Sequence, residues 1–419
     1  MLDIRLIRRD PDAVRAALAR RGEADVSVLD QVLALDVRKR EILPRLEGLR
    51  AEQNAANQAI AAAKKGGGDA DEAIAQMRAV AGEAKALTEE LAEVDARLTP
   101  VLAQLPNLPD PSAAPEDTVV KEVGEAWVPS WPVRDHLELA GDGIDMERGA
   151  RLSGSRFAYL KGSIARLELS LVSWAMDHLA EHGFEPVIPP VLVREEALFG
   201  TGMLPDTEQQ IYRLADDDLY LAGTSEVALA SLHAGEILEE LPLRYAGFSP
   251  CFRREAGAAG KDTRGIFRVH QFDKVEMFSF VDPATSVEEH ERLLSIEESI
   301  LQALNIPYRV VNIAVDDLGA SAAKKYDCEA WLPSQQRYRE LTSTSNTTDF
   351  QARRLEIRHR PGGSGKPEIL HTLNGTAIAV GRTLIAMLEN GQQEDGGVVL
   401  PEVLRGYGAP ESLPAASAG

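Results

Sequence analysis

The segment that decides the fold of this chain is residues 251–278, which read CFRREAGAAGKDTRGIFRVHQFDKVEMF. Two stretches of alternating polar and apolar residues flank a glycine-rich loop, a pattern that predicts a β-hairpin. Side chains two residues apart in a strand share a face, so Arg268, His270, Phe272, Lys274 and Glu276 lie together. An aromatic ring, a carboxylate and guanidinium donors on one face suit a base, an ammonium group and a phosphate. The alternative is a structural hairpin whose charges form cross-strand ion pairs.

The residues before this hairpin carry an apolar seam that alternates by four and three residues. Its first run consists of Val28, Val32, Leu35, Ile42, Leu46, Leu49, Ala56 and Ile60, with Lys39 and Gln53 at the interrupted seam positions. Its second run consists of Ala73, Met77, Val80, Ala84, Leu87, Leu91, Val94, Leu98, Val101 and Leu105. Residues 64–69, KKGGGD, separate the runs and predict a turn between two antiparallel helices over about residues 28–105.

The first of these helices would reach roughly 50 Å at 1.5 Å per residue, which predicts an arm that protrudes from the fold. Pro44 lies within it, where proline removes a backbone hydrogen bond and is expected to bend the rod. The alternative is a coiled coil that serves only dimerisation or spacing. The basic clusters at residues 38–40 and 64–65 are more typical of a solvated face than of phosphate contacts.

The composition is that of an ordinary globular chain. Its 419 residues are 44% hydrophobic and 26% charged, which predicts two or three domains. Early charges at the N-terminus argue against a signal peptide and no long apolar stretch follows, so we expect a cytoplasmic protein without a membrane span. Cys251 and Cys328 stand far apart without a second ligand at metal spacing. We therefore expect neither a disulfide framework nor a zinc site.

The net charge of −21 opposes a polyanionic partner, because Lys and Arg are needed to neutralise phosphates. Residues 1–100, however, carry 16 Lys or Arg and 18 Asp or Glu. The first quarter of the chain is therefore nearly neutral and can contact nucleic acid locally.

A helix-poor connection follows the seam, marked by Pro100, Pro106, Pro109, Pro111, Pro115, Pro129 and Pro132. Beyond it, apolar alternation and short glycine-punctuated runs predict a mixed α and β domain from about residue 116. Two common nucleotide-binding motifs are missing from that domain. Residues 363–367, GSGKP, place proline after the lysine, and no Gly-x-Gly-x-x-Gly opens a helix after a strand.

Three segments together resemble the class II aminoacyl-tRNA synthetases. Residues 251–278 resemble motif 2, in the form found in the seryl-tRNA synthetase family, and the similarity covers essentially the whole chain. Residues 182–193, HGFEPVIPPVLV, resemble motif 1, which forms the dimer interface, and residues 374–390, which begin NGTAIAVGR, resemble motif 3. The resemblance implies an α+β architecture. An N-terminal tRNA-binding domain with a coiled-coil arm would span residues 1–115, and a catalytic domain on an antiparallel sheet would span residues 116–419.

The resemblance also implies how ATP binds. Arg253 would contact the α-phosphate and the serine carboxylate, Glu255 would accept from the adenine amino group, and Phe272 and Arg382 would enclose the ring. The implied ATP-binding set is Arg253, Arg254, Glu255, Val269, Phe272, Glu340, Leu341, Thr342, Ser343 and Arg382. Glu340 and Ser343 are the implied ligands of Mg²⁺, held together with the ATP phosphates, and oxygen ligands of this kind suit magnesium.

The implied serine-binding set is Thr224, Ser225, Glu226, Arg253, Glu276, Asn374 and Thr376. Glu276 would take the ammonium group, and Asn374 and Thr376 would stand near the hydroxyl. Arg253, Glu276 and Arg382 would carry the catalysis by position and charge, without a general base. Ser225 replaces the family's usual alanine and Thr376 its usual serine, differences that bear on fine selectivity.

The activity implied is ATP-dependent formation of seryl-adenylate and transfer of serine to tRNA(Ser), with tRNA(Sec) left open as a second acceptor. The family reads the tRNA by shape, through the paired helices, in a homodimer where one subunit's arm serves the other's active site. Two other classes remain. One is a carrier-protein ligase for a small amino acid, whose members lack the arm. The other is a silent scaffold, which the presence of Arg253, Glu276, Glu340 and Arg382 opposes.

Overall fold

The computed structural model describes residues 1–22, 26–65, 71–205, 208–257, 260–363 and 365–416. They form two compact units. One comprises Leu2–Ala19 and Glu23–Pro106, and the other comprises Met1, Arg20–Gly22 and Asn107–Gly419. Within the described ranges, no helix combines the length and the apolar character needed to cross a bilayer. Of the turn predicted at residues 64–69, residues 64 and 65 still belong to the helix Val26–Lys65, and residues 66–69 lie outside the described residues.

The first unit is helical in its described residues. Its helices are α1 (Ile4–Arg9), α2 (Pro11–Ala19), α3 (Val26–Lys65) and α4 (Asp71–Gln104). The two long helices confirm the helical arm predicted from the seam. Pro100 lies inside α4 rather than in the connection, contrary to the sequence-based expectation. Leu98 and Leu102 are both buried, and their burial offsets the roughly 3 kcal/mol by which an interior proline destabilises a helix.

Helices α3 and α4 pack as an antiparallel pair. Leu46, Leu49 and Ala84 form the centre of a buried apolar cluster between them. Ion pairs join Arg38 to Glu90 at 2.6 Å, Lys39 to Asp95 at 2.7 Å, and Arg45 to Glu83. Arg45 lies further along α3 than Arg38 and Lys39, and its partner Glu83 lies earlier along α4 than Glu90 and Asp95, as antiparallel packing requires. Lys39, an interruption of the apolar seam, lies at its margin and reaches an acidic partner.

The second unit is built on an eight-stranded sheet. Its strands are β1 (Thr118–Val123), β2 (Glu185–Val187), β3 (Leu243–Phe252), β4 (Gln271–Val281), β5 (Tyr308–Asn312), β6 (Lys324–Leu332), β7 (Arg337–Thr348) and β8 (His371–Ala379). Their order is β1-β5-β6-β7-β8-β4-β3-β2. Every neighbouring pair is antiparallel except β2 and β3. The predicted antiparallel sheet is therefore confirmed, and β3 and β4 form the predicted hairpin.

Within the described residues, the α-helices that accompany this sheet are α5 (His136–Ala140), α6 (Met146–Ser153), α7 (Gly162–Glu181), α8 (Glu195–Thr201), α9 (Glu226–Ser231), α10 (Ser286–Ala303), α11 (Phe350–Arg354) and α12 (Val380–Gly391). The remaining strands of the described residues form two three-stranded and two two-stranded sheets. Leu167 of α7, Leu293 and Ile300 of α10, and Leu384 of α12 are fully buried in the main core. Burial of such side chains stabilises the domain by about 1.5–3 kcal/mol each.

Strand β4 divides its side chains between the core and an open face. Val275 and Met277 are fully buried in the main core, whereas Lys274 and Glu276 line a cleft. On neighbouring β8, a Cβ atom added to Gly375 would lie 3.0 Å from Oε1 of Glu297, a residue of α10. The close approach of α10 on the core side leaves the opposite side of β4 and β8 to the cleft.

Candidate active site

A cleft of about 360 Å³ opens over β4, β7 and β8. It is lined by most of the predicted site residues: Thr224, Glu226, Arg253, Glu255, Val269, Phe272, Glu276, Glu340, Leu341, Thr342, Ser343, Asn374, Thr376 and Arg382. Two predicted residues do not line it. Arg254 is exposed. Side chains alternate in direction along this segment, and its neighbours Arg253 and Glu255 face the cleft. Ser225 is buried, with its hydroxyl directed at the backbone oxygen of Gly247 at 3.5 Å.

Arg253 is fixed at both its backbone and its side chain. It follows β3, and its backbone N–H donates to the carbonyl oxygen of His270 at 2.9 Å across the hairpin. Its Nε–H donates to the carbonyl oxygen of Gly223 at 3.1 Å, and its guanidinium carbon lies 5.3 Å from the ring centroid of Phe272. Among the described residues only Nε of this guanidinium has a hydrogen-bond partner. Its terminal amino groups can therefore serve a substrate.

Arg382 lies in the first turn of α12, the helix after β8, and its guanidinium lies over an aromatic ring. Its guanidinium carbon lies 4.6 Å from the ring centroid of Phe267. The guanidinium carbon of Arg339 lies 3.9 Å from the same centroid. Phe272, the predicted partner of Arg382 around adenine, lines the same cleft beside Arg253. The sandwich of adenine between Phe272 and Arg382 stays a prediction.

Glu340 faces the basic side of the cleft. Arg382 donates from Nη1 to the backbone oxygen of Glu340 at 3.0 Å and lies 3.5 Å from its carboxylate. Burial would raise the pKa of Glu340, but the charges of Arg382, Lys325 and Arg253 hold it below its ordinary value. Burial lowers the pKa of Arg382. Glu340, whose side chain is 48% exposed, is therefore an ionised carboxylate beside these cations.

Glu255 is an ion-pair partner as well as a cleft residue. Arg268 donates to its carboxylate at 2.8 Å, and this hydrogen bond raises the pKa of Arg268. The backbone of Glu255 has a φ of 49°, a region that few residues other than glycine adopt. The hairpin thus turns this carboxylate back toward the second strand, and its other oxygen remains available as an acceptor.

A compact cluster of charges lies beside Arg253. Glu276 is 2% exposed and pairs with Lys274, which is 6% exposed. The Lys274 ammonium also donates to Oγ1 of Thr224 at 2.7 Å. The hydroxyl of Thr376 lies 3.5 Å from the Glu276 carboxylate. Strand pairing explains this meeting, because Glu276 is the register partner of Thr376 next to a β-bulge.

Glu226 completes the cluster from α9. Its carboxylate accepts from the side-chain amide of Gln351 at 2.7 Å. Burial, followed by repulsion from Glu276, raises its pKa to about 7, and Lys274 acts in the opposite direction. Lys274 was assigned no role in the sequence analysis, although its alternation with Phe272 and Glu276 already placed it on the same face.

Sequence reasoning also missed a second ion pair at the Glu340 side of the cleft, between the half-buried Lys325 and the buried Asp327. Lys325 and Asp327 lie two residues apart on β6, with Nζ and Oδ1 separated by 2.9 Å. Asp327 is the register partner of Ser343. Burial raises its pKa to about 7, and Lys325 opposes this shift. The alternation of Lys325 and Asp327 was visible in the sequence, but the pairing of β6 with β7 was not.

The side-chain oxygens at the Glu340 side of the cleft fit a magnesium ion only if a bound ligand supplies further oxygens. Within the described ranges, no group of three or more His, Cys, Asp or Glu side chains is placed to hold a metal ion. Glu340 and Ser343 offer a carboxylate and a hydroxyl, which are hard ligands of the kind that Mg²⁺ prefers. Phosphate oxygens would have to supply the remaining positions, as they do at many nucleotide sites.

Two family models match the chain. The model described as the seryl-tRNA synthetase N-terminal domain matches residues 1–109, and the class II tRNA synthetase core domain (G, H, P, S and T) matches residues 210–391. A serine–tRNA ligase of Thermobifida fusca is 51% identical, and the alignment covers 97% of each chain.

Solved structures agree with these matches. Seryl-tRNA synthetase from Pyrococcus horikoshii, complexed with ATP, is 43% identical with a TM-score of 0.94 over 100% of both chains. A cytoplasmic serine–tRNA ligase from Naegleria fowleri, in complex with AMP, is 33% identical with a TM-score of 0.88 over 99% of both chains. With the antiparallel sheet, the helical arm and the motif residues gathered in one cleft, these likenesses establish that the chain belongs to the seryl-tRNA synthetase family.

Proposed function

We propose that this chain activates L-serine with ATP to form seryl-adenylate and then transfers the seryl group to the 3′ end of tRNA(Ser). The observation that carries the proposal is the cleft in which Arg253 adjoins the buried cluster of Thr224 and Glu276. A phosphate-binding cation beside an ammonium-binding carboxylate suits the union of an amino acid with a nucleotide. Two similar synthetases solved with ATP and with AMP support an adenine nucleotide as the second substrate.

In the first step, an oxygen of the serine carboxylate attacks the α-phosphorus of ATP, and the bond to pyrophosphate breaks. Glu276 and Thr224 hold the ammonium group, so that the carboxylate is aimed at the phosphate. The terminal amino groups of Arg253 stabilise the negative charge that shifts among the phosphate oxygens. A carboxylate is already nucleophilic, so this step requires no general base.

The nucleotide is held by the opposite end of the cleft. Glu255 accepts from the adenine amino group through the oxygen that Arg268 leaves free, and Phe272 and Arg382 enclose the ring. Val269, Leu341 and Thr342 complete the pocket, and Arg254 reaches ATP only through a rearrangement of its exposed side chain. The serine hydroxyl meets Thr376 and Asn374, and Ser225 acts through the backbone that positions Thr224 and Glu226.

Glu340 and Ser343 would hold Mg²⁺ together with the ATP phosphates. When bound, the ion neutralises phosphate charge during the departure of pyrophosphate. Glu340 is prepared for this role because neighbouring cations keep it ionised. Zinc is not part of the proposal, since both proposed ligands offer oxygen.

The proposed acceptor binds through the N-terminal domain, residues 1–115, in the cytoplasm. Helices α3 and α4 would contact the tRNA by shape and backbone, and tRNA(Sec) remains a second candidate acceptor. Replacing residues 36–99 with a short linker should spare serine-dependent pyrophosphate exchange and abolish tRNA charging. Charging that survives this deletion would contradict the role of the arm.

We further propose a homodimer in which the arm of one subunit serves the active site of the other. A mixed dimer tests this arrangement. One subunit lacks the arm, and its partner keeps the arm but carries Arg253→Ala and Arg382→Ala. Crossed binding leads the tRNA to the intact site and restores charging. An inactive mixed dimer, with folding and dimerisation verified, would refute the crossed arrangement.

A carrier-protein ligase is not favoured, because the N-terminal domain model matches residues 1–109 and such ligases lack the arm. A silent scaffold is not favoured either, because Arg253, Glu276, Glu340 and Arg382 all line the cleft. The deciding experiment is ATP–pyrophosphate exchange across the twenty amino acids, followed by charging of tRNA(Ser). Exchange that depends on serine above all others is expected, and exchange with no serine dependence would overturn the proposal.

A further inference from the structure

The ammonium site already contains a cation that the proposed reaction does not use. Lys274 is 6% exposed, pairs with Glu276 and donates to Thr224 at 2.7 Å. These are the two residues that would hold the ammonium group of serine. A buried lysine at this position either competes with the substrate or prepares the site for it.

The charges around Glu226 distinguish these possibilities. Glu226 of α9 faces Glu276 and Lys274 of β4, Gln351 of α11 and Asn374 of β8. Of these described neighbours, only Glu276 and Lys274 are charged. With both carboxylates ionised, Glu226, Glu276 and Lys274 together carry one negative charge in excess, and the charge of Arg253 beside them is matched by the α-phosphate and the serine carboxylate of the proposed reaction. One further ammonium group therefore brings the buried cluster to neutrality.

We infer that Lys274 is a positioning residue of the serine site, a built-in counter-ion that stays on Glu276 and directs the substrate ammonium between Glu226 and Glu276. Two buried carboxylates without Lys274 would share a proton, since close like charges do not both ionise. Lys274 neutralises one of them and leaves the other available. The inference deepens the proposed function and rests on serine being the substrate.

This arrangement couples serine binding to a proton. Burial and Glu276 raise the pKa of Glu226 to about 7, and a bound ammonium group favours its ionised form. Serine therefore binds the ionised site more tightly, and KM for serine should rise as the pH falls below about 7. For each unit by which the pH falls, KM for serine should rise by at most about tenfold, because only one proton binds, at Glu226.

The test is the pH dependence of KM for serine in ATP–pyrophosphate exchange, measured between about pH 6 and 8.5. In Lys274→Met the rise in KM should begin at least about one pH unit higher than in wild type. The ratio of KM at pH 6 to KM at pH 8.5 should then grow about tenfold. Lys274→Arg keeps the charge and should restore the wild-type profile. Lys325→Met removes the half-buried lysine at the other end of the cleft, and should change KM for ATP while leaving the serine profile in place.

A wild-type profile in folded Lys274→Met, or a change in kcat alone, would overturn the inference. If this variant fails to fold, Glu226→Gln provides the decisive measurement. It removes the titrating carboxyl, so KM for serine should lose its rise at low pH, and a persistent rise would overturn the inference. Wild-type enzyme without serine-dependent exchange would instead overturn the proposed function, and the inference with it.

Discussion

Arg253→Ala should lower serine-dependent pyrophosphate exchange by about two to three orders of magnitude. The side chain is held in place before substrate arrives, by the Nε hydrogen bond to Gly223 at 3.1 Å and by the ring of Phe272 at 5.3 Å. A preorganised donor to a developing anion contributes about 10²–10³ in rate, or about 2.7–4 kcal/mol. Arg253→Lys keeps the charge but loses the planar fork, so an intermediate loss is expected.

The assay is the initial rate of exchange at saturating ATP and serine, with KM for each measured separately. Arg264→Ala is the matched control, because Arg264 lies in the same hairpin connection but is 65% exposed and paired with Asp135. Its exchange rate should stay within about twofold of wild type, as for most surface substitutions. Wild-type exchange by Arg253→Ala, or an equal loss in both variants, would refute the reasoning.

Three further predictions concern selectivity and stability. Serine should be preferred to alanine by about 10⁴-fold in exchange, because alanine offers no hydroxyl to the polar groups of Thr376 and Asn374, and threonine should be excluded less strongly; alanine activated more readily than threonine would contradict this. Arg244→Met should lower the free energy of unfolding in urea by about 3–5 kcal/mol at neutral pH, because Glu289, bonded to Arg244 at 2.7 Å, is left buried and charged. Burial would raise the pKa of Glu289, but Arg244 keeps it below its ordinary value, so this contribution is present above the unfolded pKa of about 4.3 and is lost on acidification; a pH-independent difference would argue against the ion pair. Gly149→Ala should lower the free energy of unfolding in urea by about 1–3 kcal/mol, because the added Cβ would collide with the backbone carbonyl oxygen of Phe157. Gly48→Ala, in open space on α3, should not lower it.

The sequence by itself determined the elements whose signal is local. The heptad seam predicted α3 and α4, because apolar spacing along a helix repeats within a few residues. Alternation in residues 251–278 predicted the hairpin and placed Phe272 and Glu276 on one face. The expectation for Pro100 was wrong, because a local rule against proline ignores the burial of Leu98 and Leu102 in the same helix.

Only the tertiary structure decided which of these faces meet. Glu276 lies beside Thr376 because β4 pairs with β8 in a register that contains a bulge, and Asp327 lies beside Ser343 because β6 pairs with β7. The burial that holds Lys274 against Thr224, and brings Glu226 to the same cluster, depends on chain segments distant in sequence. The helical period and the strand alternation determine which side chains share one face of an element. Pairing between distant strands determines which groups lie beside that face, and these neighbouring groups set the charge of the site.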